Sequence, residues 1–246
     1  MARILLADDG IVFDGNSLEE GPLGGVESSV INLMVEMAKR GHEVHVRNNC
    51  LAALDHKGVS WHPIQEPWPE QIDLYIANRG DKLIDRMKSA RKTVFWVHNP
   101  AGYLIKWRYL SKLWRRKPAI VFIGKTHEKT YPRWGPGGSR IVIPYGLSED
   151  FCKAAPLKNV PGPRAVFTSN PLRSLDWLLD IWVSFIKPKV PTAELHLFAG
   201  AATYGAVGEA KAAGMFNIEK KAKSLEKFGV VVRGPVSKSQ LISEFR

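Results

Sequence analysis

Gly21-Pro22-Leu23-Gly24-Gly25-Val26-Glu27 decides how the rest of this chain is read. The apolar run at residues 3–7 precedes it, has the character of a short strand, and ends in Asp8-Asp9-Gly10. After it, Val26, Val30, Leu33 and Met37 recur at helical spacing, and Met34 widens the stripe. Lys39-Arg40 suit the negative end of that helix and Gly41 is its stop. Residues 42–46 alternate as a second strand. Strand, glycine turn, helix and strand make one βαβ unit. A glycine turn at a helix start leaves bare backbone N–H groups that can face an anion. The plain alternative is a strand-to-helix connection with no ligand. The spacing is not G-x-G-x-x-G, which disfavours a nicotinamide-dependent enzyme.

The alternation continues. Residues 59–64, 73–77, 93–97, 119–123 and 140–143 read as strands, and 82–90, 104–116 and 126–134 as helices. Strands alternating with helices argue for an α/β fold with a parallel sheet covered on both faces. Residues 1–146 are expected to form a Rossmann-like N-terminal domain. Pro156, Pro161, Gly162 and Pro163 mark 147–163 as a linker. A second series follows from 164, with strands at 165–168, 194–199 and 230–232. Its helices are expected at 175–186 and 218–228, with another starting at Ser237. Three strands are fewer than a doubly wound sheet uses, so 164–246 reads as an incomplete second Rossmann-like domain.

Composition sets outer limits. Of 246 residues, 45% are hydrophobic and 24% charged, as in ordinary globular proteins. There is no run of 18 apolar residues, so no transmembrane helix is expected, and the opening residues do not form a signal peptide. Cys50 and Cys152 make neither a disulfide framework nor a zinc site, which points to a reducing cytoplasm and to no metal. The net charge of +11 implies an anionic partner: nucleic acid, a membrane surface or phosphorylated substrates. No nucleic-acid module is recognisable, so no nucleic-acid partner is expected.

Four places carry candidate chemistry. Gly24, Gly25 and Glu27 stand at the C-terminal edge of the expected sheet, where open α/β sheets hold ligands. His98-Asn99 ends an apolar strand at the same edge, placed to bond a hydroxyl or phosphate; a loop cap is the alternative. Lys106, Arg108, Lys112, Arg115 and Arg116 interleave with aromatic residues on one helix, which suits an anionic lipid surface or a charged acceptor. The alternative there is a solvated face, with Trp107, Leu110 and Trp114 packed inward. Ser169, Asn170 and Arg173 lie in the first loop of the second series, with Arg173 placed for a bidentate phosphate contact. Asp8-Asp9 reads as a turn or cap rather than a metal-binding acidic pocket.

The order of these motifs resembles family 4 glycosyltransferases of the GT-B fold. Gly24-Gly25-Val26-Glu27 and the helix end Lys39-Arg40-Gly41-His42-Glu43-Val44 resemble that family's first βαβ unit. Ile143-Pro144-Tyr145-Gly146-Leu147 resembles its interdomain segment, with Tyr145 in place of the usual Asn. Arg173-Ser174-Leu175-Asp176 resembles the start of its second domain's first helix, with Ser174 where glycine is usual. The resemblance implies a retaining transfer of a sugar from a nucleotide diphospho-sugar to a glycan or lipid-linked acceptor, without a cofactor or an obligatory metal. It implies that Gly24 and Gly25 face the diphosphate, that His98 meets the donor sugar and that Arg173 neutralises the leaving phosphates. The family's E-x7-E segment would fall after Arg246, so this chain is expected to be weakly active or inactive as it stands. The alternative is a non-catalytic GT-B fragment that binds a nucleotide or a partner.

Overall fold

The computed structural model describes residues 1–153, 161–200 and 212–245. The chain divides into two compact units: Met1–Ser17 with Gly25–Gly146, and Leu18–Gly24 with Leu147–Arg246. The first unit is built on a parallel sheet of β1 (Arg3–Asp8), β2 (Glu43–Asn48), β4 (Val59–Pro63), β5 (Leu74–Asn78), β6 (Lys92–Trp96), β7 (Ala119–Phe122) and β8 (Arg140–Val142). One antiparallel edge strand, β3 (Leu54–His56), completes the order β3-β4-β2-β1-β5-β6-β7-β8. The pairing of β1 with both β2 and β5 sets Ala7 beside Arg47 and Asp8 beside Asn78. Strand β1 is buried on both faces from Ile4 to Asp8, as a central parallel strand must be.

Strand β3 was not apparent in the alternation. It is specified by its turn: Lys57 and Gly58 both have positive φ, 50° and 80°, which is the two-residue hairpin geometry matching strand twist.

After one short turn, α1 (Ser17–Glu20), helix α2 (Gly25–Lys39) buries Val30, Ile31, Met34 and Val35. The buried face is therefore rotated from the expected stripe, and Val26, Leu33 and Met37 are only half-buried. Gly41 (φ 81°) ends it in the left-handed cap conformation, and the amide of His42 reaches back to Met37 O at 3.3 Å. The core beneath the sheet contains Leu5, Tyr75, Phe95, Leu104, Leu113, Ile120, Phe122 and Tyr131.

Three expected helices of this unit are shorter or broken. Residues 82–90 hold only a 3-10 turn over Lys82–Asp85, because the chain turns off to set Leu83, Ile84 and Met87 into the core. Residues 104–116 divide at Lys106, whose extended backbone (ψ 135°) separates a 3-10 turn, Ala101–Ile105, from α3 (Trp107–Arg116). Residues 126–134 give one turn, α4 (Lys125–Glu128), ahead of Pro132, which cannot continue a helix.

The second unit carries a three-stranded parallel sheet, β9 (Arg164–Phe167), β10 (Glu194–Leu197) and β11 (Val230–Val232), ordered β11-β10-β9. The expected linker contains a short helix, α5 (Glu149–Lys153), while Pro156 lies outside the described residues. Helix α6 (Leu175–Ile181) runs on as a π turn, Trp182–Ile186, and buries Leu175, Leu179 and Trp182. Helix α7 (Ala212–Ser224) starts earlier than expected and gives way to a 3-10 turn over Glu226–Phe228. Ser237 and Gln240 form a reciprocal capping box at the start of α8 (Lys238–Glu244).

Ser174 precedes α6 with φ 64° and ψ 18°, in the left-handed region. A side chain there costs about 1–2 kcal/mol, partly offset by the greater chain entropy glycine loses on folding. Ser174→Gly is expected to raise stability by about 0.5–1 kcal/mol, read as a higher urea midpoint at unchanged m; a lower midpoint contradicts the assignment.

Candidate functional site

Strand order in the first sheet reverses at β1, whose neighbours are β2 on one side and β5 on the other. Open α/β sheets hold ligands outside the carboxyl ends of their strands at such a switch point. The residues there are polar and joined in one chain. Asp8 ends β1 and is fully buried. Its Oδ1 accepts from the Gly10 amide at 2.7 Å and from Arg79 Nη2 at 2.8 Å, and its Oδ2 accepts from Asn78 Nδ2 at 2.5 Å. The same Arg79 nitrogen lies 2.9 Å from Oε1 of Glu27, in the first turn of α2. Two residues past β6, His98 Nε2 lies 2.5 Å from Asn78 Oδ1. Its Nδ1 lies 2.5 Å from the hydroxyl of Tyr145, past β8.

Arg79 is held in left-handed backbone geometry (φ 52°), which a non-glycine residue adopts at a cost of about 1–3 kcal/mol. The two carboxylates gripping its guanidinium hold it there. Gly10 leaves room for this grip, since a Cβ on it would run into the Arg79 guanidinium. Burial, reinforced by the charge of Arg79, pushes the His98 imidazole down to about 3, so it is neutral at physiological pH. Burial and the Glu27 carboxylate push the Tyr145 phenol up to about 12, so it keeps its proton.

The sequence-derived candidates are placed as follows. Glu27 is buried and committed to Arg79, so it holds the cluster together rather than facing solvent. Gly24 is half-buried and Gly25 is exposed at the first position of α2. A Cβ on Gly25 would meet no atom within 4 Å, so packing does not demand a glycine there. Asn99 is exposed, and its carbonyl accepts from His127 Nε2 at 2.6 Å while His127 Nδ1 accepts the Ile123 amide at 3.1 Å.

In the second unit the Asn170 side chain closes a turn by accepting the Leu172 amide at 2.9 Å, and Arg173 is exposed. Ser169 lines a pocket of that unit with Leu23, Phe198, Ala199 and Lys238, past the C-terminal ends of β9 and β10. Burial depresses the Lys238 ammonium.

The basic helix faces the other way from the inward-packed alternative. Tyr109 and Leu113 enter the core, while Trp107 and Trp114 are 77% and 71% exposed. Lys112 binds Asp81 Oδ2 at 2.7 Å, and Arg115 and Arg116 pair with Asp85. Arg108 and Lys106 are exposed, Arg108 at 3.9 Å from Asp81.

Asn78, Arg79 and the hydroxyl of Tyr145 were not found from sequence as site residues, and Asp8 was read only as a turn. The one usable signal was Asn78-Arg79-Gly80, polar residues and a glycine directly after an apolar strand.

No family model and no curated protein matches this chain. Solved structures do. Sucrose-phosphate synthase from Thermosynechococcus elongatus aligns over 100% of this chain and 73% of its own, with a TM-score of 0.70 at 13% identity. The E. coli trehalose-6-phosphate structure bound with UDP-2-fluoro glucose aligns over 100% and 76%, with a TM-score of 0.62 at 11% identity. WaaG, a glycosyltransferase involved in lipopolysaccharide biosynthesis, aligns over 98% and 72%, with a TM-score of 0.58 at 11% identity. The fold of this chain is the GT-B glycosyltransferase fold.

His98 gives the site a pH signature. Its folded pKa lies below the unfolded value of 6.5, so the unfolded chain binds the extra proton first. The contribution is fully present above pH 6.5 and is lost as pH falls from there toward 3. The slope approaches about 1.4 kcal/mol per pH unit. In chemical denaturation at pH 6.5 and 4.5, His98→Gln is expected to lose less stability than the parent chain over that interval; equal losses contradict a buried neutral histidine.

Proposed function

We propose that this chain is a glycosyltransferase of the retaining, family 4 type, moving a sugar from a nucleoside diphospho-sugar to a glycan or lipid-linked acceptor. The observation that carries the reading is the helix start at Gly25. It is exposed, requires no glycine for packing, and has no positive φ to accommodate. Close approach of a ligand to the backbone is one physical reason for a glycine there. That end of helix α2 carries the partial positive charge of the helix dipole, which suits a diphosphate. The bound UDP-sugar analogue in one structural relative supports the same substrate class.

In the proposed reaction the acceptor hydroxyl oxygen bonds to the anomeric carbon as the bond from that carbon to the diphosphate breaks. The acceptor proton passes to a diphosphate oxygen. Negative charge builds on the leaving group, and fixed donors aimed at it lower the barrier. The amides at the start of α2 are the groups assigned to that task in the first unit; in the second unit, taken by itself, Arg173 with Ser169 and Asn170 is assigned as a phosphate contact. His98 is assigned to the sugar. The reaction as written calls for no cofactor.

A lipid-linked acceptor is favoured by α3. Trp107 and Trp114 stand seven residues apart on its outer face, next to Arg108 and Arg115. Exposed tryptophans flanked by cations suit an anionic membrane interface. Among the described residues no helix is long and apolar enough to cross a membrane; the association proposed is peripheral, and the side proposed is the cytoplasmic one.

Two measurements test these assignments. Gly25→Ala is expected to leave stability unchanged or raise it by up to about 1 kcal/mol, yet to weaken nucleoside diphosphate binding by about tenfold, or ~1.4 kcal/mol. Undiminished affinity in that variant contradicts the diphosphate assignment. The double variant Trp107→Ala/Trp114→Ala is expected to lose cosedimentation with phosphatidylglycerol vesicles, whereas the parent binds them in a salt-sensitive way. Equal sedimentation of the two rules out the membrane role of α3.

A further inference from the structure

We propose that the outer edge of β9 is a self-association surface, and that its occupant is β9 of a second copy of this chain, paired antiparallel about a two-fold axis at Ala165. The surface lies wholly in the second unit and stands apart from the sugar-transfer reading.

Strand β9 closes the order β11-β10-β9, so among the described residues it has no neighbour on its outer side. The Glu194 amide donates to Pro163 O at 3.0 Å, and the Phe198 amide donates to Phe167 O at 2.8 Å. With Ala165 in parallel register beside Leu195, residues 163, 165 and 167 turn their backbone groups toward β10. Arg164 and Val166 therefore turn theirs outward. Unpaired edge groups are a template for another strand unless the edge is blunted. Within β9 no proline blunts it, and its one charge, Arg164, is already met by Glu244 of α8 at 3.5 Å.

A two-fold axis selects one register. Opposed residues of an antiparallel pair exchange both hydrogen bonds only where their backbone groups face each other. With the axis at Ala165, Arg164 of each copy faces Val166 of the other, and every outward group of both strands is satisfied. An axis at Arg164 would oppose two like charges, and an axis at Val166 would set Arg164 against Thr168, beyond the end of the strand.

The side chains suit the same axis. Ala165 is exposed, and two alanines meet where opposed Cα atoms lie about 4.5 Å apart. On the other face of the strand a groove of about 310 Å³ is lined by Pro161, Gly162, Arg164, Val166, Glu244 and Phe245. Arg164 of the second copy, opposite Val166, lays its methylene stem into that groove and brings its guanidinium toward Glu244. Two arginines and two glutamates then share one face of the seam, so its charges are complementary. Phe245 is 54% exposed, and the incoming stem covers part of its ring.

The test is analytical ultracentrifugation of the full chain with hydrogen exchange at β9. The parent is expected to show a concentration-dependent monomer–dimer equilibrium, with the Arg164 and Val166 amides better protected at high concentration. Ala165→Asp opposes two carboxylates at the axis and is expected to weaken dimerisation by about tenfold or more. Ala165→Thr is expected to dimerise at least as well as the parent, and the urea midpoints of both variants should stay near the parent value. In a Cys152→Ser background, Ala165→Cys is expected to form a disulfide-linked dimer with diamide as oxidant. Lys220→Cys, on α7 against β11, is expected to form none. If Ala165→Asp does not fold, the thiol pair and Ala165→Thr decide the question. A parent that stays monomeric at every concentration overturns the proposal and leaves the edge to a strand of another polypeptide. A dimer unmoved by Ala165→Asp, or one linked equally well through Lys220→Cys, overturns it too.

Discussion

Asp8 and Glu27 share one guanidinium, that of Arg79, at the carboxyl edge of the first sheet. Both carboxylates are almost wholly removed from water, with side-chain exposures of 0% and 6%. Buried charge is costly unless paired, and removing one partner of such a cluster typically costs about 3–5 kcal/mol. The arrangement therefore fixes more than two ion pairs. It ties the first turn of α2 to the ends of β1 and β5, holds Arg79 in its left-handed conformation, and orients Asn78 toward His98. A neutral, single-tautomer histidine at a switch point is the chemical product of that constraint.

The same unit separates its charges by use. Lys112, Arg115 and Arg116 are drawn back to Asp81 and Asp85, bracing α3 against the 3-10 turn at Lys82–Asp85. Surface pairs that keep partial contact with water contribute little to stability, about 0–1 kcal/mol each. Their consequence is orientation. With Tyr109 and Leu113 in the core, the helix can only turn Trp107 and Trp114 outward. The outward aromatic pair and the exposed Arg108 and Arg115 then share one surface of α3.

Much of the architecture was legible because it rests on local signals. The βαβ start, the strand alternation and the cap at Ser237 all follow from periodicity and capping chemistry, and the motif order pointed to the GT-B fold. The failures are equally physical. Helices expected at 82–90 and 126–134 have too little apolar periodicity to resist what the sheet connections and Pro132 require. The alternative of Trp107 and Trp114 packed inward rests on their core-like spacing, and only the register of α3 against Leu113 turns them out. At the site, His98 and Gly25 could be named from their position after a strand and before a helix. Arg79, Asn78 and Tyr145 could not, because their roles depend on pairings across 71, 70 and 47 residues of sequence that no local pattern encodes.

The central claim is that the carboxyl edge of the first sheet, from the start of α2 to His98, faces a sugar nucleotide. Backbone and side-chain amide NMR during titration with UDP-glucose tests it most directly. The account predicts saturable shifts at the Gly25 and Val26 amides and at the Asn78 side-chain amide, all with one common affinity. Saturable binding that leaves these three signals in place, or no binding at all, would contradict it.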